Sequence, residues 1–238
     1  MDEQLLKRLQ SVDTPTVCNA IECFKVRPQN TGYMDSRIKC NFHEMPPMVG
    51  YASTATYRSD LPAREGDVYE SIDHQVDTFK ELPGPAVVVY QDLDDPPVAA
   101  TFGDVMCSCF QAFGAVGLVT SGGARDLEQV RALEFQTFSS GAICAHAYSH
   151  TLEINGPVRV GGITVFAGDL IHGDANGVTT IPNAIASEMA HILEDYAAAE
   201  AVVLNYAQSG SVTPKGLGEA RAECKRMIDA ISDRVAKK

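Results

Sequence analysis

An arginine and an aspartate stand side by side at Arg125-Asp126, directly after the glycines of the stretch GAVGLVTSGGARDLEQV, residues 114–130. A guanidinium is a planar, two-point binder of carboxylates. An aspartate can hold a hard divalent cation, and Mg²⁺ takes only one or two protein carboxylates and keeps several waters. The turn Ser121-Gly122-Gly123 adds backbone N–H groups that point at whatever lies over it, ahead of a helix whose N-terminus favours negative charge. Together these groups suit a small anionic oxo acid. A second corner of the same kind opens a helix at Gly103-Asp104, in TFGDVMCSCF. Each corner also has a plainer reading. Asp126 reads as an N-cap with Gln129 completing a capping box, and Asp104 as the cap of its own helix.

Other chemistry fits the chain less well. No Lys-Ser or Lys-Thr pair follows the glycines, and GAVG is too short for a dinucleotide turn, so nucleotide binding is disfavoured. His146 and His150 in HAYSH would pair on a helix, but they fall in a strand-rich region and read as structural or surface residues. His172 reads as a strand-end residue, Asp169 and Asp174 as turn residues, and Cys107 and Cys109 as packing. None of the eight lysines sits in an apolar setting that suits a Schiff base.

The whole chain narrows the partners. It has 238 residues and a net charge of -12, from 31 acidic and 19 basic residues. Such a balance argues against nucleic acid or an anionic membrane as a partner. A small anion would need positive groups gathered locally. The seven cysteines are scattered and odd in number, without a CxxC pair, which favours reduced thiols over zinc. With no apolar leader or bilayer-length run, a cytoplasmic protein is expected.

The elements that must position these residues follow from periodicity and turn residues. Two helical pieces are expected over 3–24, broken at Asp13-Thr14-Pro15, and an irregular stretch over 25–48. Strands are expected at GYASTATYR and PAVVVYQD, with a helix VYESIDHQVDTF between them. Helix DVMCSCFQAF, strand AVGLVT and helix LEQVRAL frame the two corners. Short strands follow at FQTFSS, AICAHAY, PVRVGGITVFAGD and GVTTIP. The pattern predicts an α/β domain layered on an all-β part. The last quarter reads as helical, interrupted around SGSVTPKG.

Taken in order, FGDVMCSCFQAFGAVGLVTSGGARD, GGITVFAGD and GDANGVTTIP resemble the RraA-like family, and VGYASTATY and AREGDVYESID extend the likeness. That family includes 4-hydroxy-4-methyl-2-oxoglutarate aldolases, related oxaloacetate decarboxylases and regulators of ribonuclease activity. The resemblance implies an α/β fold, a β/β/α layered domain of the swivelling type over residues 1–212, with a C-terminal helical extension over 213–238. It implies a trimer or hexamer with the active site between neighbouring subunits. Arg125 would hold the oxygens of a pyruvate-like group and Asp126 would anchor Mg²⁺ or Mn²⁺. Asp104 maps to the carboxylate at the helix start, and Glu200 to a glutamate supplied by a neighbouring subunit. Gly103 and the backbone N–H groups of Val105 and Met106 would bind the substrate carboxylate, with Ser121 and Gly122 contributing from the turn. Two positions depart from the family pattern. Asn19 stands where relatives carry an acid, and Ser121 where they often carry Asp.

The implied activity is that of a class II, metal-dependent carbon–carbon lyase acting on a small 2-oxo dicarboxylic acid. Retro-aldol cleavage and oxaloacetate decarboxylation both pass through a pyruvate enolate. The alternative is a non-catalytic regulatory binding protein of the ribonuclease-inhibitor type. Such a regulator needs no Arg125, Asp126 or Asp104, so their presence favours the enzyme.

Overall fold

The computed structural model describes residues 3–63 and 71–236. The chain opens with α1 (Glu3–Gln10) and α2 (Thr14–Glu22). Asp13 makes the break between them by capping α2, its side chain accepting from the Thr16 N–H at 2.8 Å, with Pro15 in the first turn. After β1 (Lys39–Cys40) comes β2 (Met48–Arg58), followed by α3 (Ile72–Thr78). The first residues expected in that helix, 68–70, and most of the AREGDVYESID stretch lie outside the described residues.

The middle of the chain supplies β3 (Ala86–Asp92), β4 (Ala100–Phe102), α4 (Asp104–Ala112), β5 (Ala115–Thr120), β6 (Gly123–Ala124) and α5 (Leu127–Ala132). Strands then dominate: β7 (Gln136–Ser139), β8 (Gly141–Ala142), β9 (His150–Ile154), β10 (Val158–Val160), β11 (Ile163–Val165), β12 (Leu170–Asp174) and β13 (Gly177–Ile181). Two long helices close it, α6 (Ala186–Gln208) and α7 (Pro214–Val235).

One sheet organises the fold, in the order β1-β7-β5-β3-β2-β12-β13, with β9 also on β2. Strands β2, β3, β5 and β7 run parallel, while β1, β9, β12 and β13 join antiparallel. The second half therefore does not form an all-β part of its own, contrary to the expectation from strand clustering. The reason lies in β2. It is long, and its inner edge is taken by β3. Its outer edge needs partners along its whole length, and β12 and β9 pair with successive parts of it. AICAHAY is a second correction: it leaves the strand after Ala142, and most of residues 142–148 are exposed.

Side-chain alternation builds the layers. Val88 and Tyr90 of β3 face the helices, whereas Val87 and Val89 face the hairpin β10–β11 together with Met34 and Ile38. Burial on both faces explains why PAVVVYQD is a continuous apolar run. The helix layer is split. Helices α1, α2, α6 and α7 cover Val49, Tyr51, Leu170 and Ile181, while α4 packs beside Val88, Tyr90 and Leu118. Mixed α/β architecture in β/β/α layers is the result. Helix α7 starts at an N-cap, Thr213, whose hydroxyl accepts from the Gly216 N–H at 3.1 Å. It folds back on α6, and Ile231 and Val235 enter the same cluster as Leu9 and Met189. Among the described residues no helix is long and apolar enough to cross a membrane.

Candidate active site

The two corners picked out in the sequence meet. A small parallel ribbon, β4-β6-β8, carries both of them. Strand β4 delivers Gly103 and α4, and β6 delivers Arg125, Asp126 and α5. The approach is so close that a Cβ on Gly103 would stand 2.3 Å from Asp126 Oδ2 and 3.0 Å from Arg125 Nε. A larger residue there would push the Asp126 carboxylate and the Arg125 side chain out of their present positions.

Asp126 does not act as a side-chain cap. Its backbone is left-handed, at φ 53° and ψ 38°, and its side chain makes no cap hydrogen bond to α5. The capping box with Gln129 is thus absent. A left-handed aspartate costs about 1 kcal/mol or more relative to an ordinary conformation. The twist turns the carboxylate away from its own helix and places Oδ2 3.4 Å from Arg125 Nε. Both side chains stay partly open, 26% and 33% exposed, so a ligand can still reach them.

Asp104 is the first residue of α4 rather than its cap, which is Gly103. Its Oδ1 accepts from the Val105 N–H at 2.8 Å, so this donor is engaged by the chain itself. Asp104 and Asp126 share a neighbourhood: both raise the pKa of the buried Cys107 thiol, after burial itself, which is the larger cause. Cys107 is therefore a protonated packing residue, as its apolar setting suggested. Arg125, Gly103, Val105 and Met106 line one narrow cleft of about 10 Å³ with Tyr57 and His146. His146 is exposed, as the sequence reading had it, and it also lines this cleft. Its ring Nδ1 lies 2.8 Å from the Ala147 carbonyl, in a loop that turns through a left-handed Ala147. His150 opens β9 with Nδ1 2.7 Å from the Tyr148 carbonyl, so the two histidines form no helical metal pair.

Ser121 and Gly122 face elsewhere. The Ser121 hydroxyl accepts from the Asp92 N–H at 2.9 Å. A Cβ on Gly122 would come within 2.5 Å of Asp92 Oδ2 and 2.4 Å of Thr101. Asp92, which the sequence reading did not single out, is buried beside this turn, as is Asp94. Asp92 Oδ1 accepts from the Asp94 N–H at 3.0 Å, while Oδ2 is buried with no hydrogen-bond partner. Burial first, then the charges of Asp94 and Asp60, push its carboxyl up to about 6. An acid at the carboxyl end of a doubly buried parallel strand was the available signal.

Glu200 lies on α6 in the other half of the helix layer. Asn19 Nδ2 donates to its Oε1 at 3.4 Å, and after burial, the larger cause, the charge of Glu200 raises the pKa of the neighbouring Tyr196. The two departures of the sequence reading thus sit apart, Asn19 beside Glu200 and Ser121 beside Asp92. His172 is another correction. It lies mid-strand in β12 and fully buried, with Nδ1 2.9 Å from Thr14 Oγ1 and Nε2 3.0 Å from the Leu9 carbonyl. It pins α1 and α2 to the sheet. Asp174 adds to this, accepting from the Thr14 N–H at 2.9 Å while also holding its own turn through Asn176.

All seven cysteines are free. Among the described residues no three His, Cys, Asp or Glu side chains gather to hold a metal. The donors on offer at the Arg125 corner are the two carboxylates of Asp104 and Asp126. Two hard oxygen donors suit Mg²⁺, which keeps waters for its other positions, better than a zinc ion that wants a closed set.

Comparison with known proteins agrees with this architecture. A protein of Halalkalibacterium halodurans with the provisional name 4-hydroxy-4-methyl-2-oxoglutarate aldolase is 35% identical over 105 residues, 44% of this chain and 49% of that one. The chain spans about half or less of the length of the curated relatives it matches. Among solved structures, an uncharacterized protein from Pseudomonas syringae superposes with a TM-score of 0.73 at 23% identity, covering 93% of this chain and 94% of that one. Streptomyces coelicolor RraAS2, described as an unusual member of the RNase ES inhibitor RraA family, gives 0.65 at 22% identity over 82% and 93%. These two likenesses establish the fold. The RraA-like family, described as Aldolase/RraA, matches residues 14–180, and the chain belongs to it.

Proposed function

We propose that the protein is a divalent-metal-dependent lyase that cleaves a 2-oxo dicarboxylic acid to pyruvate. The observation that carries this reading is the diverted carboxylate of Asp126, turned from its own helix toward Arg125 and Gly103. A structural cap would face its helix. The relative from H. halodurans, with its aldolase name, supports the same reading.

Arg125 would grip the C1 carboxylate and C2 oxygen of the substrate, helped by the positive N-terminus of α4. Asp126 would hold Mg²⁺ or Mn²⁺, which when bound supplies Lewis-acid stabilisation of charge on the C2 oxygen. In retro-aldol cleavage the C3–C4 bond breaks, its electrons pass to the C2 oxygen as an enolate, and the C4 hydroxyl gives up its proton. Asp104 is the base on the same chain. Glu200, held by Asn19 on the far half of the helix layer, would reach the cleft from a neighbouring subunit of a trimer or hexamer. His146, which lines the same cleft, would be the group that returns a proton to C3. Decarboxylation needs no base at the C4 hydroxyl, so the loss of an acid at position 19 spares it.

Pyruvate release from oxaloacetate and from 4-hydroxy-4-methyl-2-oxoglutarate tests the proposal. Turnover with Mg²⁺ that EDTA stops, and that Arg125→Ala and Asp126→Asn each lower by about 100-fold or more, is the expected result. Turnover indifferent to EDTA and to both variants overturns the reading. No turnover with either acid favours the regulatory binding protein.

A further inference from the structure

Three basic side chains, Arg37, Lys39 and Arg159, line one cavity of about 540 Å³ in a chain whose net charge is -12. It is much larger than the Arg125 cleft and shares no lining residue with it. Asp92 ends β3, Ser121 follows β5 and Ser140 follows β7, and all three line this cavity. Strands β3, β5 and β7 are parallel neighbours. Ligands of open α/β sheets bind in the crevice beyond the carboxyl ends of such strands. Strand β1 at the sheet edge contributes Lys39. The hairpin β10–β11 contributes Arg159 and its turn Gly161-Gly162, at φ 55° and 81°.

Not every charge here is available. Asp35 takes Arg37 in a two-point grip, at 2.9 Å to Nε and 2.7 Å to Nη2. Asp94 Oδ2 accepts from the Ser59 and Asp60 N–H groups at 2.7 and 3.0 Å, and its Oδ1 lies 3.6 Å from Arg58 Nε. Lys39 and Arg159 make no ion pair among the described residues and are exposed at the rim. Asp92 has Oδ1 taken by the Asp94 N–H and Oδ2 buried, so the exposed Asp95 is the acid left to face a ligand. The Ser140 hydroxyl already donates to the Gly122 carbonyl at 2.8 Å, so it has only acceptor capacity to offer. A complement to this lining carries an anionic group for the two free cations. It also carries hydroxyl donors for Asp95 and the serine.

We propose that this cavity is a second binding site, for a small hydroxylated organic anion, its carboxylate or phosphate held by Lys39 and Arg159 and its hydroxyls by Asp95 and Ser140. The proposal is independent of the reaction at Arg125. Calorimetric titration of the full chain with gluconate and with glucose 6-phosphate separates the two anion sources. Sorbitol and inorganic phosphate are the references that lack one half of the chemistry. At least one of the two hydroxylated anions is expected to bind about tenfold or more tightly than either reference. The exposed pair Lys39→Ala/Arg159→Ala should weaken that binding about tenfold or more while leaving pyruvate release unchanged. Arg125→Ala should leave the binding intact. The proposal is overturned if neither anion binds, if inorganic phosphate binds as well as glucose 6-phosphate, or if binding survives the double variant or disappears in Arg125→Ala.

Discussion

Replacing Asp92 with asparagine isolates the cost of keeping a charge at the end of β3. The change keeps the side chain's size and the oxygen that accepts from the Asp94 N–H, and it removes the ionisation. Burial lifts the carboxyl from an ordinary 3.8 to about 6. A group whose pKa is raised on folding favours the fold while it is protonated. That contribution is complete below about pH 3.8 and is lost as pH rises through about 6. At about 1.4 kcal/mol per pH unit, the ionised form costs the wild-type fold about 3 kcal/mol at neutral pH and about 1 kcal/mol at pH 4.5. Asp92→Asn should therefore gain about 2 kcal/mol on the wild type between about pH 4.5 and pH 7.5. For a chain of this size that is a melting-temperature difference growing by about 4–8 °C. Thermal unfolding of both proteins at the two pH values, at one protein concentration, reads it. A difference that stays the same at both pH values would refute the claim that Asp92 is a desolvated acid.

Further outcomes follow from the packing. Gly103→Ala puts a Cβ against Asp126 Oδ2, at 2.3 Å in the present geometry. It should lower pyruvate release by about tenfold or more while the chain stays folded by circular dichroism. His172→Ala should destabilise the fold by about 2–4 kcal/mol in urea unfolding, since it opens a cavity and strands the Thr14 hydroxyl and the Leu9 carbonyl. Burial lowers the pKa of His172, so its share of stability is present above the ordinary histidine pKa. It falls away as pH drops below that value, and the wild type should lose more than the variant on acidification. Thr213→Ala removes the cap of α7 and should cost about 1 kcal/mol, read as a lower urea midpoint.

Local signals carried much of this molecule. Asp13 and Pro15 marked the start of α2, the apolar run 85–92 marked a doubly buried strand, and glycine followed by Asp marked both corners. What the sequence could not carry was distance. Nothing local says that Gly103 touches Asp126, or that Asp126 abandons the cap its spacing with Gln129 invites. Long-range pairing decides both, because β4 and β6 must lie side by side. The same limit hid β12. LIHGD is interrupted by polar residues, and only the finished fold supplies Thr14 and the Leu9 carbonyl to satisfy His172. His146 was discounted on its setting in a strand-rich stretch, yet the loop after β8 swings it to the cleft. Asp92 closed the expected strand PAVVVYQD without being singled out, and long-range packing of Gly122 against its carboxylate is what marks it.

The left-handed backbone at Asp126 ties the history of position 126 to that of position 103. Aspartate, asparagine and glycine are the residues that tolerate such a conformation. A chain that gave up the carboxylate could drift to either of the others without disturbing the turn. Glycine at 103 would then be less constrained, since the oxygen at 2.3 Å would be gone and only the flexible Arg125 side chain would remain near the Cβ position. The two positions are therefore coupled. Gly103→Ala should be harmful beside Asp126 and close to neutral for folding beside Asp126→Gly. A corner that retains both residues still bears the constraint that only a carboxylate imposes.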